Sequence, residues 1–300
     1  MVKKFSKTEN QLLMLFTINK TFSFCNSLYK IEMSGKPRSV KGEPKTDVYV
    51  RARCLKTSEI LELKISYKQK NADFLENKIS AERAEEIFGD QWRSVIKSSA
   101  LKIQQKFDRK KLIFKDKYRN TQKGSITLGW RCEIVNKGTG ELVDKLELTM
   151  DQLVDIYSGT NLPIEKKNSL VGEKMVPESG VANYMLIGDV EDWSLQDAVD
   201  NLIPVQEYVK NSPDLYFTFK ALNYRSFAKK IEGNRPLAVQ VIWKVRDNKM
   251  ESELNFDDPL EIKGNYVRDV LKEVMNILNI ENTDAIDSTV AKSKVIYELS

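Results

Sequence analysis

The stretch "KGEPKTDVYVRARCLKTSEILELKISYKQKNADF", residues 41–74, decides how this chain is read. Gly42 and Pro44 break the chain before Asp47, and two strand-like runs follow, 48–55 and 60–68, joined by "KTSE". Successive strand side chains point to opposite faces. Val48, Val50, Ala52 and Cys54 therefore share an apolar face, and in the second run Leu61, Leu63, Ile65 and Tyr67 are core-like. Asp47, Tyr49, Arg51 and Arg53 take the other face, as do Glu62, Lys64, Ser66 and Lys68 in the second run. Asp47 thus has acids and lysines on its own side of one sheet. A turn centred between Thr57 and Ser58 predicts Asp47 opposite Lys68 and Lys64 opposite Arg51, while a bulge would change that choice.

The composition removes whole classes of answer. A chain of 300 residues holds one large domain or two ordinary ones. With 41% hydrophobic and 30% charged residues it reads as globular rather than disordered or membrane-embedded. No apolar run approaches the roughly 20 residues of a bilayer span, and "LLMLF" behind Lys3 and Lys4 is too short for a secretory leader. A cytoplasmic protein with no membrane partner is the expectation. Cys25, Cys54 and Cys132 lie too far apart in sequence to indicate a zinc site or a disulfide framework. Histidine is absent altogether, which excludes Ser-His-Asp triads, Cys-His dyads, HExxH zinc proteases and HNH-type nucleases. Catalysis must then run on carboxylates, lysine, tyrosine, a metal or a cofactor. No GxxxxGK[ST] stretch occurs, so no nucleotide cofactor is expected.

The net charge of +5 hides an asymmetry. Residues 1–123 carry about +14 and residues 124–300 about −9. The densest basic run, 101–123, sets Lys102, Lys106, Arg109, Lys110, Lys111, Lys115, Lys117, Arg119 and Lys123 against only Asp108 and Asp116. Such a segment is either a solvated surface or a phosphate-binding one. Phe107, Phe114 and Tyr118 within it could stack on bases or anchor the segment to a core. A second basic cluster, 220–235, contains "NYRSF", where Asn223 and Arg225 are candidates for reading adenine and guanine edges. Two separated basic patches suit a cleft that grips a duplex.

Elements alternate as α/β along the chain. Ser6 and Glu9 have capping-box spacing before a helix. Helices are predicted near 72–88 and 91–108, the second capped by Asp90, then a hairpin turning at "NKGTGE" within 125–149. Segment 158–180, rich in Gly and Pro, reads as a linker or long functional loop. Strands at 214–228 and 235–247 and a terminal amphipathic helix follow, with a last dozen residues that are docked or loose. "GDVEDW", 188–193, could bind a cation but reads better as a helix entry before "SLQDAVDNL". Trp130, Trp193 and Trp243 read as core aromatics.

The opening stretch resembles the PD-(D/E)xK nuclease superfamily, which includes most type II restriction endonucleases. Its motif is an Asp at the start of one strand and a paired strand carrying an acid, a spacer and a lysine. Pro44-Lys45-Thr46-Asp47 supplies the first half with the proline displaced. Glu62-Leu63-Lys64 fits the second half literally, whereas Ser66-Tyr67-Lys68 fits the expected register but has serine in place of the acid. In one group of these enzymes a glutamate of the following helix replaces that acid. The resemblance, over residues 40–90, implies that Glu82 or Glu76 takes this role. It also implies a mixed sheet flanked by helices, with a β-rich C-terminal part. The expected function is a Mg²⁺-dependent endonuclease cutting double-stranded DNA, favoured as a homodimer, with Asp47 and Lys68 carrying catalysis and Glu82, Glu76 or Glu62 completing the metal site. A repair, recombination or homing nuclease on the same fold is the alternative, as is a DNA-binding protein of phage or bacterial origin with no catalysis. The expected division is a core over 1–157, the segment 158–180, and a recognition or dimerisation part over 181–300.

Overall fold

The computed structural model describes residues 4–40, 42–70, 74–77, 79–212 and 214–299. The chain is mixed α/β and forms two compact units that interleave in sequence. One comprises Met1–Asp73 and Leu148–Pro213, the other Phe74–Glu147 and Asp214–Ser300. The boundaries therefore differ from a sequential division at 157 and 180. The reason is topological: the chain leaves the first unit after the fourth strand of its main sheet and returns to add a parallel one.

In the first unit a six-stranded sheet runs in the order Thr21–Phe24, Ser27–Gly35, Val48–Cys54, Ile60–Lys68, Tyr184–Ile187, Ile203–Pro204. The first four strands form an antiparallel meander, and Tyr184–Ile187 lies parallel to Ile60–Lys68. A parallel neighbour needs a long crossover connection. Residues 69–183 supply it and contain the whole first segment of the other unit. The predicted apolar faces merge into one core, where Val48, Val50, Ala52, Leu63, Ile65 and Tyr67 are buried. The helix Lys4–Leu15 covers it with Leu12, and Phe16 follows, while Thr8, Leu12 and Phe16 make a buried stripe at four-residue spacing. Each fully buried Leu or Phe contributes about 1.5–3 kcal/mol. This helix starts at Lys4, so Ser6 lies inside it rather than at its cap. The helix Leu195–Asp200 also joins the core through Ala198 and Val199. It is closed by a capping box between Ser194 and Asp197, as "GDVEDW" predicted for a helix entry.

Segment 158–180 is folded. It contains the helix Ile164–Lys167 and a hairpin, Ser169–Val171 with Lys174–Val176, that pairs with Pro37–Arg38. It ends at Gly180, whose carbonyl accepts bonds from the amides of Lys45 (3.0 Å) and Thr46 (3.3 Å). A Cβ at Gly180 would lie 1.9 Å from the Lys166 carbonyl, so only glycine permits this approach. A segment with the polarity of a linker thus fixes the entry to Asp47.

In the second unit the eleven-residue strand Ser125–Val135 is almost wholly buried and organises the sheet. It pairs antiparallel with Tyr216–Arg225, Val239–Arg246, Ile113–Phe114 and Phe74–Glu76. Gly129 is required there, because its φ is 151° and a Cβ would stand 2.4 Å from the Val239 carbonyl. Three expectations need correction. Phe74–Glu76 is a strand, and the helix begins only at Ala81, where the Ser80 hydroxyl accepts from the Arg83 amide; Ala72, Asp73 and Lys78 lie outside the described residues. The helix expected over 91–108 divides into Trp92–Lys102 and Gln104–Asp108, and the first has no side-chain cap from Asp90. Val143–Lys145 pairs with Tyr216–Arg225 and not with Ser125–Val135, so "NKGTGE" spans over a strand instead of closing a two-stranded hairpin. The chain end is docked, since Ile296–Tyr297 pairs with Ile113–Phe114. Among the described residues no helix is long and apolar enough to cross a membrane.

Candidate catalytic site

The register between the two strands of the opening stretch settles which lysine Asp47 meets. Val48 pairs with Ile65, Tyr49 with Lys64 and Arg51 with Glu62, so Asp47 stands opposite Ser66 and not Lys68. The loop closes one residue earlier than a turn at Thr57–Ser58 predicts. The Cys54 amide donates to the Glu59 carbonyl (2.8 Å), the Ser58 amide to the Cys54 carbonyl (3.0 Å), and Ser58 adopts φ 63°. Pairing shifts by two residues, which preserves the face each side chain takes.

Asp47 is bound to the second strand twice. Its amide donates to the Ile65 carbonyl (2.8 Å), and its Oδ2 accepts from the Tyr67 amide (2.7 Å). Burial pushes its pKa up from 3.8 to about 6, against the positive charge of Lys68 and the Tyr67 hydrogen bond. Glu9 raises it further and Lys36 lowers it. Lys36 hydrogen-bonds Glu9, and although burial works against its charge, Glu9 holds its pKa above the usual lysine value, aided by Asp47 and Glu43. The Gln69 amide donates to Thr8 Oγ1 (3.1 Å), tying the strand end to the first helix beside Glu9. The charge of Glu9 also reaches Tyr67, whose pKa rises to about 12 chiefly through burial. Glu9, Lys36, Asp47 and Lys68 thus form one electrostatic cluster.

Ser66-Tyr67-Lys68 is brought to Asp47, and Glu62-Leu63-Lys64 is not. Glu62 accepts a hydrogen bond from the Tyr49 hydroxyl, four strand positions from Ser66, or about 13 Å along the chain. Burial and Glu62 together raise the Tyr49 pKa. Lys64 lies opposite Tyr49, its amide bonded to Asn183 Oδ1 (2.7 Å). Glu76 and Glu82 belong to the second unit. There Glu76 accepts two bonds from Arg83, at 2.8 and 2.9 Å, and Glu82 sits in the first turn of Ala81–Phe88, where an acid complements the helix dipole.

Glu9 and Lys36 were not found from sequence. Glu9 carries no local signature beyond its place on the polar side of the Thr8–Leu12–Phe16 stripe. Among the described residues no three His, Cys, Asp or Glu cluster as a metal cage. The available donors suit Mg²⁺ nonetheless, since that ion takes one or two carboxylates and completes its shell with water and substrate phosphate oxygen. Asp47 and Glu9, coupled through their charges, are the carboxylates this cluster offers. The hydroxyls of Ser66 and Thr46, on the residues opposite and before Asp47, are buried without hydrogen-bond partners, so water held at the site would satisfy them.

In the second unit the basic run is on the surface but largely paired. Lys106, Arg109 and Lys117 are exposed. Lys110 and Arg119 share Glu141, Lys115 pairs with Glu298 at 2.8 Å, and Lys111 donates to the carbonyls of Ser293 and Lys294. Phe107 and Phe114 are buried anchors, whereas Tyr118 is partly exposed. Asn223 is buried, its amide committed to Thr127 and Glu232, and Arg225 forms two bonds to Glu232. Those partners hold both side chains at the strand end, where Asn223 is 5% exposed and the Arg225 side chain 30%. Trp130 and Trp243 are core residues as expected, with Trp243 Nε1 donating to the Thr127 carbonyl at 3.2 Å. No family model, curated protein or solved structure matches the chain.

Proposed function

We propose that the first unit is a Mg²⁺-dependent endonuclease site acting on double-stranded DNA, related to the restriction enzymes that the sequence resembles. The observation that carries this reading is the union of Asp47 with the Ser66-Tyr67-Lys68 strand end, where a half-buried carboxylate of raised pKa lies in the field of Lys68 and Glu9. Phosphodiester hydrolysis forms a bond from water oxygen to phosphorus and breaks the bond to one ester oxygen, which leaves with a proton. Mg²⁺ held by Asp47 and Glu9 would stabilise the charge that builds on the phosphoryl oxygens. Lys68 would orient the attacking water and face the scissile phosphate, Ser66 would hold the water by its hydroxyl, and Lys36 would neutralise Glu9 until substrate arrives. A homodimer supplies two such sites for cutting both strands.

The test is incubation of the protein with supercoiled plasmid and mixed-sequence DNA in Mg²⁺ or EDTA. Cleavage should require Mg²⁺, vanish in Asp47→Ala, fall roughly 10²- to 10⁴-fold in Lys68→Ala and persist in Lys64→Ala. Salt-sensitive DNA binding that ignores both Asp47→Ala and Mg²⁺, with no cleavage of any DNA, would make the protein a binder instead.

A further inference from the structure

The second unit contains a cavity of about 350 Å³ lined by both aromatic and basic side chains. Phe114, Tyr118, Trp130 and Phe219 give it aromatic walls, and Tyr118 is the exposed one, 37% accessible. Lys110, Lys111, Arg119 and Lys220 line it with one acid, Glu141; Lys220 is paired with Glu133 at 2.8 Å and Lys111 with the carbonyls of Ser293 and Lys294, which leaves Lys110 and Arg119 to face Glu141. Tyr118 and Arg119 stand on a tight turn closed by reciprocal bonds between Tyr118 and Thr121, with the Arg119 guanidinium 5.2 Å from the centre of the Tyr118 ring.

Glu141 shows what the cations want. Its carboxylate is shared by Lys110 and Arg119, the latter at 3.5 Å, and its side chain is 59% exposed. An exposed acid of this kind is held weakly and gives way readily to a stronger anion. A phosphate between the same two cations would gain charge-assisted hydrogen bonds. The space beside it falls in the size range of small-ligand pockets, and Tyr118, whose ring also packs against Phe114 and Tyr297, keeps 37% of its surface accessible there. The segment 101–123, which reads from sequence as basic residues interleaved with aromatics, contributes Lys110, Lys111, Phe114, Tyr118 and Arg119 to this cavity.

We infer that this cavity is a nucleotide subsite, with a phosphate taken by Lys110 and Arg119 in place of Glu141 and a base received along the Tyr118 side. It belongs to the second unit and does not depend on the cleavage reading. The source of the nucleotide is either a base extruded from nucleic acid or a nucleotide in solution, and the chemistry is shared.

The test is calorimetry in EDTA on the full-length Asp47→Ala protein, so that failure here is distinct from failure of the nuclease proposal. The probes are the four deoxynucleoside 5′-monophosphates, inorganic phosphate, deoxythymidine and a mixed-sequence single-stranded oligonucleotide. The monophosphates should bind at least tenfold more tightly than phosphate or deoxythymidine. Adding Tyr118→Ala should weaken them by roughly 5- to 150-fold, the range for loss of base–aromatic stacking. Adding Glu141→Gln should tighten them, a gain that a damaged fold cannot produce. An oligonucleotide binding more tightly than the monophosphates assigns the subsite to nucleic acid, and the reverse order assigns it to free nucleotide. Equal affinity for phosphate and monophosphate, indifference to Tyr118→Ala, or no binding of any probe overturns the inference.

Discussion

Replacing Asp47 by asparagine should stabilise the first unit at neutral and alkaline pH, and by an amount the structure sets. Burial raises the carboxyl from 3.8 to about 6 in the folded protein. Folded protein therefore holds the proton more tightly than unfolded protein. The stability due to this group is complete below about pH 3.8 and declines as pH rises, until above about pH 6 it is gone. Two pK units at 1.36 kcal/mol each make the ionised Asp47 a burden of about 3 kcal/mol at pH 8. Asp47→Asn removes the charge and keeps an oxygen to accept from the Tyr67 amide. The variant should gain about 3 kcal/mol at pH 8 and only about 1 kcal/mol at pH 4.5, where the folded wild type is protonated and the unfolded chain is mostly not. Amide hydrogen exchange in peptides covering 48–68 reads this directly as local opening. The ratio of wild-type to variant exchange rates at each pH should be roughly 150 at pH 8 and 5 at pH 4.5. If Asp47 holds Mg²⁺ as proposed, the ion should slow exchange in the wild type and leave the variant unchanged, because a ligand of the folded state alone stabilises it. A variant no more protected than wild type at pH 8, or a ratio that is the same at both pH values, would refute the assignment of Asp47 as a buried acid under strain from its own charge.

Two further outcomes follow from other contacts. Glu9→Gln removes a charge that raises the Asp47 pKa, so the acidic limb of a cleavage pH profile should move to lower pH, while the Mg²⁺ needed for half-maximal rate rises roughly tenfold or more; an unchanged Mg²⁺ requirement would remove Glu9 from the metal set. Gly129→Ala places a Cβ 2.4 Å from the Val239 carbonyl at φ 151°, and thermal unfolding should show a loss above the 1–3 kcal/mol or so of backbone strain alone. Gly140→Ala, at φ 101° with open space around it, supplies the strain-only comparison, and equal losses in the two would mean the close strand approach is not what demands glycine.

What sequence could and could not tell about the site follows from the range over which each rule acts. Period-two alternation assigns faces, and a register error of two residues leaves faces intact, so Asp47, Ser66 and Lys68 were rightly grouped although the opposite partner was not. The partner depends on one backbone angle, the left-handed Ser58, which few L-residues adopt and which nothing in "KTSE" demands. The helix entry at Ser194 was readable because its cap is closed within four residues. Glu9 was not, since its link to Lys36 spans 27 residues and its field at Asp47 comes only from folding. The same holds for Gly180, which seats Lys45 and Thr46 from 134 or more positions away along the chain. These long-range ties matter chemically. Backbone bonds to Ile65 and Tyr67, and those of Lys45 and Thr46 to Gly180, fix Asp47 where solvent only partly compensates its charge, and an acid so held is ready to lower its energy by taking a cation. On the proposed function the elevated pKa and an affinity for Mg²⁺ are two expressions of one arrangement: any substitution that lets more water reach Asp47 should lower both together, as loosening the Gly180 carbonyl would.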